Sequence, residues 1–465
     1  MNRKTIFSAL GMAFGAQALI FLCSSLMTLA VPKIMGVRSF AYWQLFIFYS
    51  GYVNLFQFGL SDGVYLRYGG SSRVSVNKTE IVSQFYVGLI TQLIVGISVA
   101  LLSLSTCAEA DRLFVLLSIS VYLFLSNIGY YWGYVFQALN ETKLFSFSQA
   151  LDRICFLIPL LYLVLNKCDV FQIYILLTIS TKLIAVIYTF IKARDFFRYR
   201  PLPISKALVL AVKSMKNGVL LTAATLSSSF IVGLARIAID SRWGIESFGK
   251  MSLSFSLINF ALAFMTQGSM VLFPAIRQTS AEQYEQYYER IRNTLAVFMP
   301  FIYLAYFPLL SVMGKWLPQY RESFLYLVYL MPICIFEAQT NLAVVTFFKV
   351  RNEVNKLLIT NLTALGFSAI GVIVGAWLFN SSTLVVIFTT IGIIVRYLVG
   401  DHYLSMTYRT YDLKLTVSQI CLAIAFVAVA SFDNVLVAFL VCIALIGTYE
   451  LLFKKYLRDA ISLIH

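Results

Sequence analysis

Apolar stretches of about 20 residues follow one another from residue 7 to residue 453, separated by short polar links. A run of that length crosses a bilayer as a helix, and continuous rather than alternating apolar residues argue against a barrel. The 465 residues are 60% apolar and only 12% charged, about half the charge of a soluble chain. Helices are expected over 7–31, 40–60, 81–105, 113–139, 144–165, 170–192, 218–240, 249–273, 294–313, 324–348, 355–379, 383–404, 415–432 and 433–453. The expected fold class is therefore an all-α membrane protein with 14 transmembrane helices.

The positive charge orients them. The run after Met1-Asn2-Arg3-Lys4 is longer than a signal-peptide core, so it reads as an uncleaved first span. With the N-terminus inside, 24 Lys and Arg fall in cytoplasmic segments and 8 in outside loops. Arg153, Lys182, Arg236 and Arg396 lie within spans. That bias places both termini in the cytoplasm, and makes the net charge of +15 topological rather than a mark of nucleic-acid binding. Most of the seven cysteines sit in apolar runs, and with only His402 and His465 no metal-ligand spacing exists. No metal and no cofactor is expected. The outside loops are too short for the paired carboxylates of a membrane glycan polymerase or glycosyltransferase, so the chain does not read as an enzyme.

A repeat divides the spans. Gly36-Val37-Arg38-Ser39-Phe40-Ala41-Tyr42-Trp43-Gln44-Leu45 returns as Gly244-Ile245-Glu246-Ser247-Phe248-Gly249-Lys250-Met251-Ser252-Leu253, at an offset of 208 residues. Six spans separate the copies, so the halves are expected to be parallel six-helix repeats about an axis along the membrane normal. The expected organisation is an N lobe over 1–204 (spans 1–6), an interfacial helix and C lobe over 205–404 (spans 7–12), and a final pair over 405–465. Within the link, Ser205–Lys216 reads as a basic amphipathic helix on the inner membrane surface.

Polar stripes mark a candidate central cavity. Gln17, Ser24 and Thr28 share one face of span 1, and Thr222, Thr225, Ser229 and Arg236 share one face of span 7. The repeat offset carries Gln17 onto Thr225 and Thr28 onto Arg236. Span 2 adds Ser50, Asn54, Gln57 and Ser61, and span 8 adds Asn259, Thr266 and Gln267, out of register with span 2. Helix–helix hydrogen bonding is the competing explanation for all of them.

Charges in the spans need water or a partner, since each costs roughly 2.5–3.5 kcal/mol at the bilayer centre. Arg153 and Lys182 fall at similar depth in spans 5 and 6, as a pair of anion ligands or, for Lys182, as the partner of Asp152. Glu337 has Arg396 as its plausible structural partner, and Arg236 and Asp240 stand four residues apart. Arg67 and Arg277 end spans 2 and 8 at the cytoplasmic mouth. Glu337, Asp240 and Asp152 are the candidates for coupling to an ion.

The Gly-x-x-x-Phe turns at Gly36–Ala41 and Gly244–Gly249, and the span 2 exit Gly59-Leu60-Ser61-Asp62-Gly63-Val64-Tyr65-Leu66-Arg67-Tyr68-Gly69, resemble polysaccharide flippases. The branch is the O-antigen or capsule (Wzx-type) one of the multidrug/oligosaccharidyl-lipid/polysaccharide exporter superfamily. The resemblance implies a carrier in the bacterial inner membrane that moves undecaprenyl-diphosphate-linked oligosaccharide to the periplasmic leaflet. Its partners would be that lipid-linked oligosaccharide, membrane lipids and the glycan polymerase and assembly machinery. Arg153, Lys182, Arg236, Arg67 and Arg277 would then hold the diphosphate, and Tyr49, Tyr52, Tyr130, Tyr131 and Tyr134 are candidate faces for sugars. The alternative within the superfamily is a cation-coupled multidrug antiporter.

Overall fold

The computed structural model describes residues 22–277 and 283–456, leaving aside the side chains of 264–275 and 277. Gln17 and the side chains of Gln267 and Arg277 therefore lie outside the described residues. Among the described residues every regular element is a helix. In chain order they are α1 (Leu22–Ile34), α2 (Val37–Ser50), α3 (Leu60–Tyr68), α4 (Lys78–Thr106), α5 (Ala110–Ala138), α6 (Thr142–Leu165) and α7 (Phe171–Ala193). There follow α8 (Ile204–Arg277), α9 (Tyr284–Phe298), α10 (Ile302–Trp316), α11 (Arg321–Gln339, continued through a π segment over Thr340–Val345 and a last turn over Thr346–Val350), α12 (Val354–Ile373), α13 (Ser382–Tyr408), α14 (Leu413–Ala430) and α15 (Val435–Leu452).

Eleven helices among the described residues are long and apolar enough to cross a bilayer. The difference from the expected 14 has three sources. Much of span 1 lies outside the described residues, span 2 is broken into pieces, and spans 7 and 8 run on as α8. The expected link between those two shrinks to a break at Gly244 (φ 81°, ψ −179°), a backbone setting that glycine adopts without a Cβ penalty. The chain divides into two compact units, Met1–Leu226 and Ser227–His465.

The shared residues of the ten-residue repeat are anchors in their own units. Phe40 and Leu45 in the first copy, and Phe248 and Leu253 in the second, are all fully buried. Position 42 donates to Glu109 through the Tyr42 hydroxyl, and its counterpart Lys250 donates to Glu322 at 2.7 Å.

Span 2 departs most from expectation. After α2 the chain makes a 3-10 turn (Val53–Gln57), passes through left-handed Phe58 (φ 51°) and Gly59 (φ 80°), and only then starts α3. Such a break frees backbone carbonyls inside a membrane protein, where each must find a donor. Asn127 of α5 donates to the Val53 carbonyl at 3.0 Å, and Gln92 of α4 donates to the Phe56 carbonyl at 2.7 Å. Asn127 also donates to the Gln92 side chain at 2.6 Å and accepts from Gln57 at 3.0 Å. Ser61 completes the network by donating to Gln57. The helical-face argument for Asn54, Gln57 and Ser61 thus fails locally, because the backbone there is not one helix.

The break lets α3 meet α8 at backbone contact. A Cβ on Gly63 would lie 1.8 Å from the Ser214 carbonyl oxygen, and one on Gly218 would lie 2.0 Å from the Gly59 carbonyl oxygen. Gly59 and Gly63 face Ser214 and Gly218, a small-xxx-small crossing on both sides. Ala207, Ala211, Ser214 and Gly218 form the buried face of the first turns of α8. Ala207 and Ala211 pack into the same core as Leu60, Val64, Phe85 and Trp132. The link helix expected on the lipid surface is therefore docked on protein by its small residues, with its lysines outward.

Gly63→Ala is expected to lower the melting temperature in detergent, at a cost of about 1–3 kcal/mol or more, although alanine favours a helix elsewhere. Gly366→Ala, whose Cβ meets nothing within 4 Å, is the control and should be neutral or slightly stabilising. Equal melting temperatures for the two variants would show that the crossing is not close-packed.

Candidate functional site

In the first unit the structure gathers the intramembrane charges around one face of α5. Lys182 of α7 pairs with Asp152 of α6 at 2.9 Å, and both side chains are about nine-tenths buried. The ammonium also stands 5.9 Å from the Tyr122 ring and 5.7 Å from the Tyr130 ring, within cation–π range. Arg153, the next residue after Asp152, is half-buried, has no ion pair among the described residues, and lies within electrostatic reach of Tyr122. Two cations against one carboxylate leave the cluster with a net positive charge.

The same face of α5 continues toward its C-terminal end. Tyr122, Tyr130 and Tyr134 recur at helical spacing, so the row from 122 to 134 spans about 18 Å at 1.5 Å per residue. Tyr134 meets Tyr65 of α3 edge to face, with centroids 6.1 Å apart. Asp62, in the first turn of α3, accepts from Thr222 of α8 at 2.5 Å. Five residues beyond Asp62, Arg67 pairs with Glu80 at 3.0 Å. Tyr131 belongs to the core instead, buried and donating to the Ile81 carbonyl at 2.7 Å.

The remaining expected residues scatter. Thr28 is buried and Ser24 half-buried, with a π segment over Leu26–Ala30 shifting the register between them. Asn54 is half-buried, while Gln57 is buried in the network that mends span 2. Thr225, Ser229 and Asn259 are exposed. In the second unit Arg236 donates to Ser252 at 2.8 Å and lies 4.9 Å over the Phe248 ring, and Asp240 is half-buried four residues on. Arg396 makes a two-pronged bond to Glu337 at 2.8 and 2.9 Å, with its Nε donating to Asn361 at 2.8 Å. Asn341 donates to Glu337 at 3.1 Å, so both oxygens of that carboxylate have a partner.

Three charged clusters were not foreseen from sequence, because their arginines lie in segments assigned to links. Arg292, 2% exposed, donates to Ser405 at 3.0 Å and to the Thr410 carbonyl at 2.7 Å, while Asp401 accepts from Tyr288 at 2.6 Å. The spacing of Tyr288 and Arg292, one turn apart on an amphipathic segment, was the available signal. Arg73 bridges Glu141 (2.7 Å) and Asp195 (2.7 Å) between the rings of Phe136 and Phe196. Glu109, in the loop before α5, gathers Tyr42, Arg38 and Arg112. The Tyr42 hydrogen bond, aided by the two arginines and opposed by burial, holds the Glu109 carboxyl below its ordinary range.

No family model matches the sequence, and no curated protein matches it. Among solved structures the chain is similar to the lipid II flippase MurJ in an inward closed conformation. The two are 15% identical over 98% of this chain and 100% of that one, with a TM-score of 0.63. It is also similar to a multidrug resistance MATE family transporter of the MOP superfamily in its inward-facing conformation. There the identity is 15% over 83% of this chain and 94% of that one, with a TM-score of 0.54. At such identities the likeness is one of fold. The chain is a multi-pass all-α membrane protein that shares its fold with these two proteins.

The buried pair makes a prediction of its own. Lys182→Met alone leaves Asp152 without its cation and should cost about 3–5 kcal/mol, whereas the double variant Lys182→Met/Asp152→Leu should recover most of that loss. Melting temperatures of the two proteins in detergent decide it. A double variant no more stable than the single would mean the pair does not neutralise itself.

Proposed function

We propose that this chain is a flippase carrying undecaprenyl-diphosphate-linked oligosaccharide, of the O-antigen or capsule type, across the bacterial inner membrane by alternating access. One observation carries the reading. The likeness to the lipid II flippase runs the length of both chains, while that to the multidrug transporter covers 83% of this one. The net positive cluster of Arg153, Lys182 and Asp152 suits a diphosphate, and the tyrosine row beside it suits sugars, whose C–H faces stack on aromatic rings. Arg236 serves the second unit in the same role.

The test is complementation of a strain lacking its own O-antigen flippase, scored by surface glycan. Arg153→Gln and Arg236→Gln, at wild-type protein levels, should each slow export by about tenfold, the worth of one charge-assisted contact. Full export by both variants would remove these residues as diphosphate ligands. Each negative charge moved outward gains about 2.3 kcal/mol per 100 mV, so flipping in vesicles should speed up under an inside-negative potential. A rate indifferent to a clamped potential would count against that drive.

Asp62 favours the multidrug alternative to a degree, since it is a half-buried carboxylate bonded to the Thr222 hydroxyl with no cation partner among the described residues. Export of a cationic drug, abolished by Asp62→Asn in a chain that fails glycan complementation, would install that reading instead.

A further inference from the structure

Two clefts open side by side in the first unit and share a wall made by Arg67 and Lys213. The first, about 460 Å³, is completed by Leu66 and Asn217. The second, about 400 Å³, adds Lys206 and Ser205, and has an apolar side of Leu202, Val209 and Leu210, with Glu80 beside Arg67. One compartment is thus polar and the other largely apolar, with the cations between them.

We propose that this wall is the docking site for the diphosphate of a lipid-linked cargo. The sugar end lies toward Asn217, and the first carbons of the lipid chain lie along Leu202, Val209 and Leu210. The proposal rests on the flippase reading and names where its substrate first binds. Three cations face one carboxylate, so the site keeps a net positive charge after Glu80 takes one nitrogen of Arg67. The guanidinium retains further donors and each ammonium has three. Lys206 and Lys213 are seven residues apart on α8, hence on one face, and both are exposed with no ion pair among the described residues.

Their backbone cannot drift. The opposite face of the same turns is clamped through Ser214 and Gly218 onto α3, and Arg67 follows Gly63 by one turn. The close crossing therefore fixes the distance between cations contributed by two helices, which an ordinary surface lysine cluster lacks. The apolar side selects a lipid over a free phosphate, because a soluble anion would leave Leu202, Val209 and Leu210 uncovered.

Binding to the purified full-length chain in detergent tests this, read by native mass spectrometry. The probes are a polyprenyl diphosphate, inorganic pyrophosphate and phosphatidylglycerol. Lys213→Glu should weaken polyprenyl diphosphate at least about tenfold, since it reverses a charge at the ligand. Lys216→Glu, an exposed lysine of the same helix that lines neither cleft, should bind as the wild type does, and phosphatidylglycerol should bind all three proteins alike. Melting temperatures confirm that each variant is folded. Unchanged diphosphate affinity in Lys213→Glu overturns the site. So does an equal loss in Lys216→Glu, which would make the effect one of net charge. An equal loss of phosphatidylglycerol would reduce the wall to an ordinary lipid contact, and pyrophosphate binding as tightly as the lipid would remove the role of the apolar side. This assay requires no transport, so the flippase reading can fail in the complementation strain while the site stands, and the converse.

Discussion

The contact between Gly59 and Gly63 on α3 and Ser214 and Gly218 on α8 sets the architecture of the first unit. Two backbones that touch leave no room for side chains, so the surrounding sequence has had to accommodate them. Phe58 and Gly59 turn the chain through left-handed conformations to aim α3 at α8. That turn strands the carbonyls of Val53 and Phe56, and the amides of Asn127 and Gln92 take them up. A polar network deep in a membrane protein is thus explained by backbone accounting, without invoking a ligand. Residues that suggest a wet cavity by their polarity are here repairing a helix.

Charge in the membrane follows a similar logic. A buried ion pair is weak evidence for stability, yet breaking one is costly, so paired residues are poor candidates for binding a passing ligand. Glu337 is held by Asn341 and by one nitrogen of Arg396 that reaches both of its oxygens, so an incoming ion would compete with a close arginine. Asp152 is likewise held by Lys182, but there the neighbouring Arg153 leaves an unbalanced positive charge. The two clusters therefore differ in kind: one is closed on itself, and the other has charge to spare beside a row of tyrosines.

Much of the fold is legible in sequence because lipid imposes a single rule, helices of sufficient apolar length. Spans 3 to 6 and 9 to 14 appear as helices close to where hydrophobic length places them. What hydropathy does not register is a change of backbone state inside an apolar run. Phe58 and Gly59 look like any other pair in an apolar segment, and the Gly59-x-x-x-Gly63 spacing was visible only as part of a family-like motif. The Arg292 cluster was hidden for the opposite reason. Its arginine lies before the expected start of span 9, in a stretch whose polarity suggests solvent, although α9 begins at Tyr284 and buries it.

The loops after α5 and α11 carry a second echo between the units, finer than the ten-residue repeat. Asn140 (φ 60°) and Asn352 (φ 59°) each take the left-handed cap position, where asparagine tolerates what most residues do not. The amide of Asn140 donates to the Gln137 carbonyl and that of Glu141 to Phe136; the amide of Asn352 donates to Lys349 and that of Glu353 to Phe348. These are the same two cap bonds, made by Asn-Glu pairs 212 residues apart. In each case the glutamate then binds an arginine, Arg73 for Glu141 and Arg351 for Glu353. A turn of this kind is set by local sequence, so two units can share it while their spans differ. A likeness between two units is accordingly easier to detect in the caps, where the backbone demands a particular residue, than in the helices, where lipid accepts any apolar one.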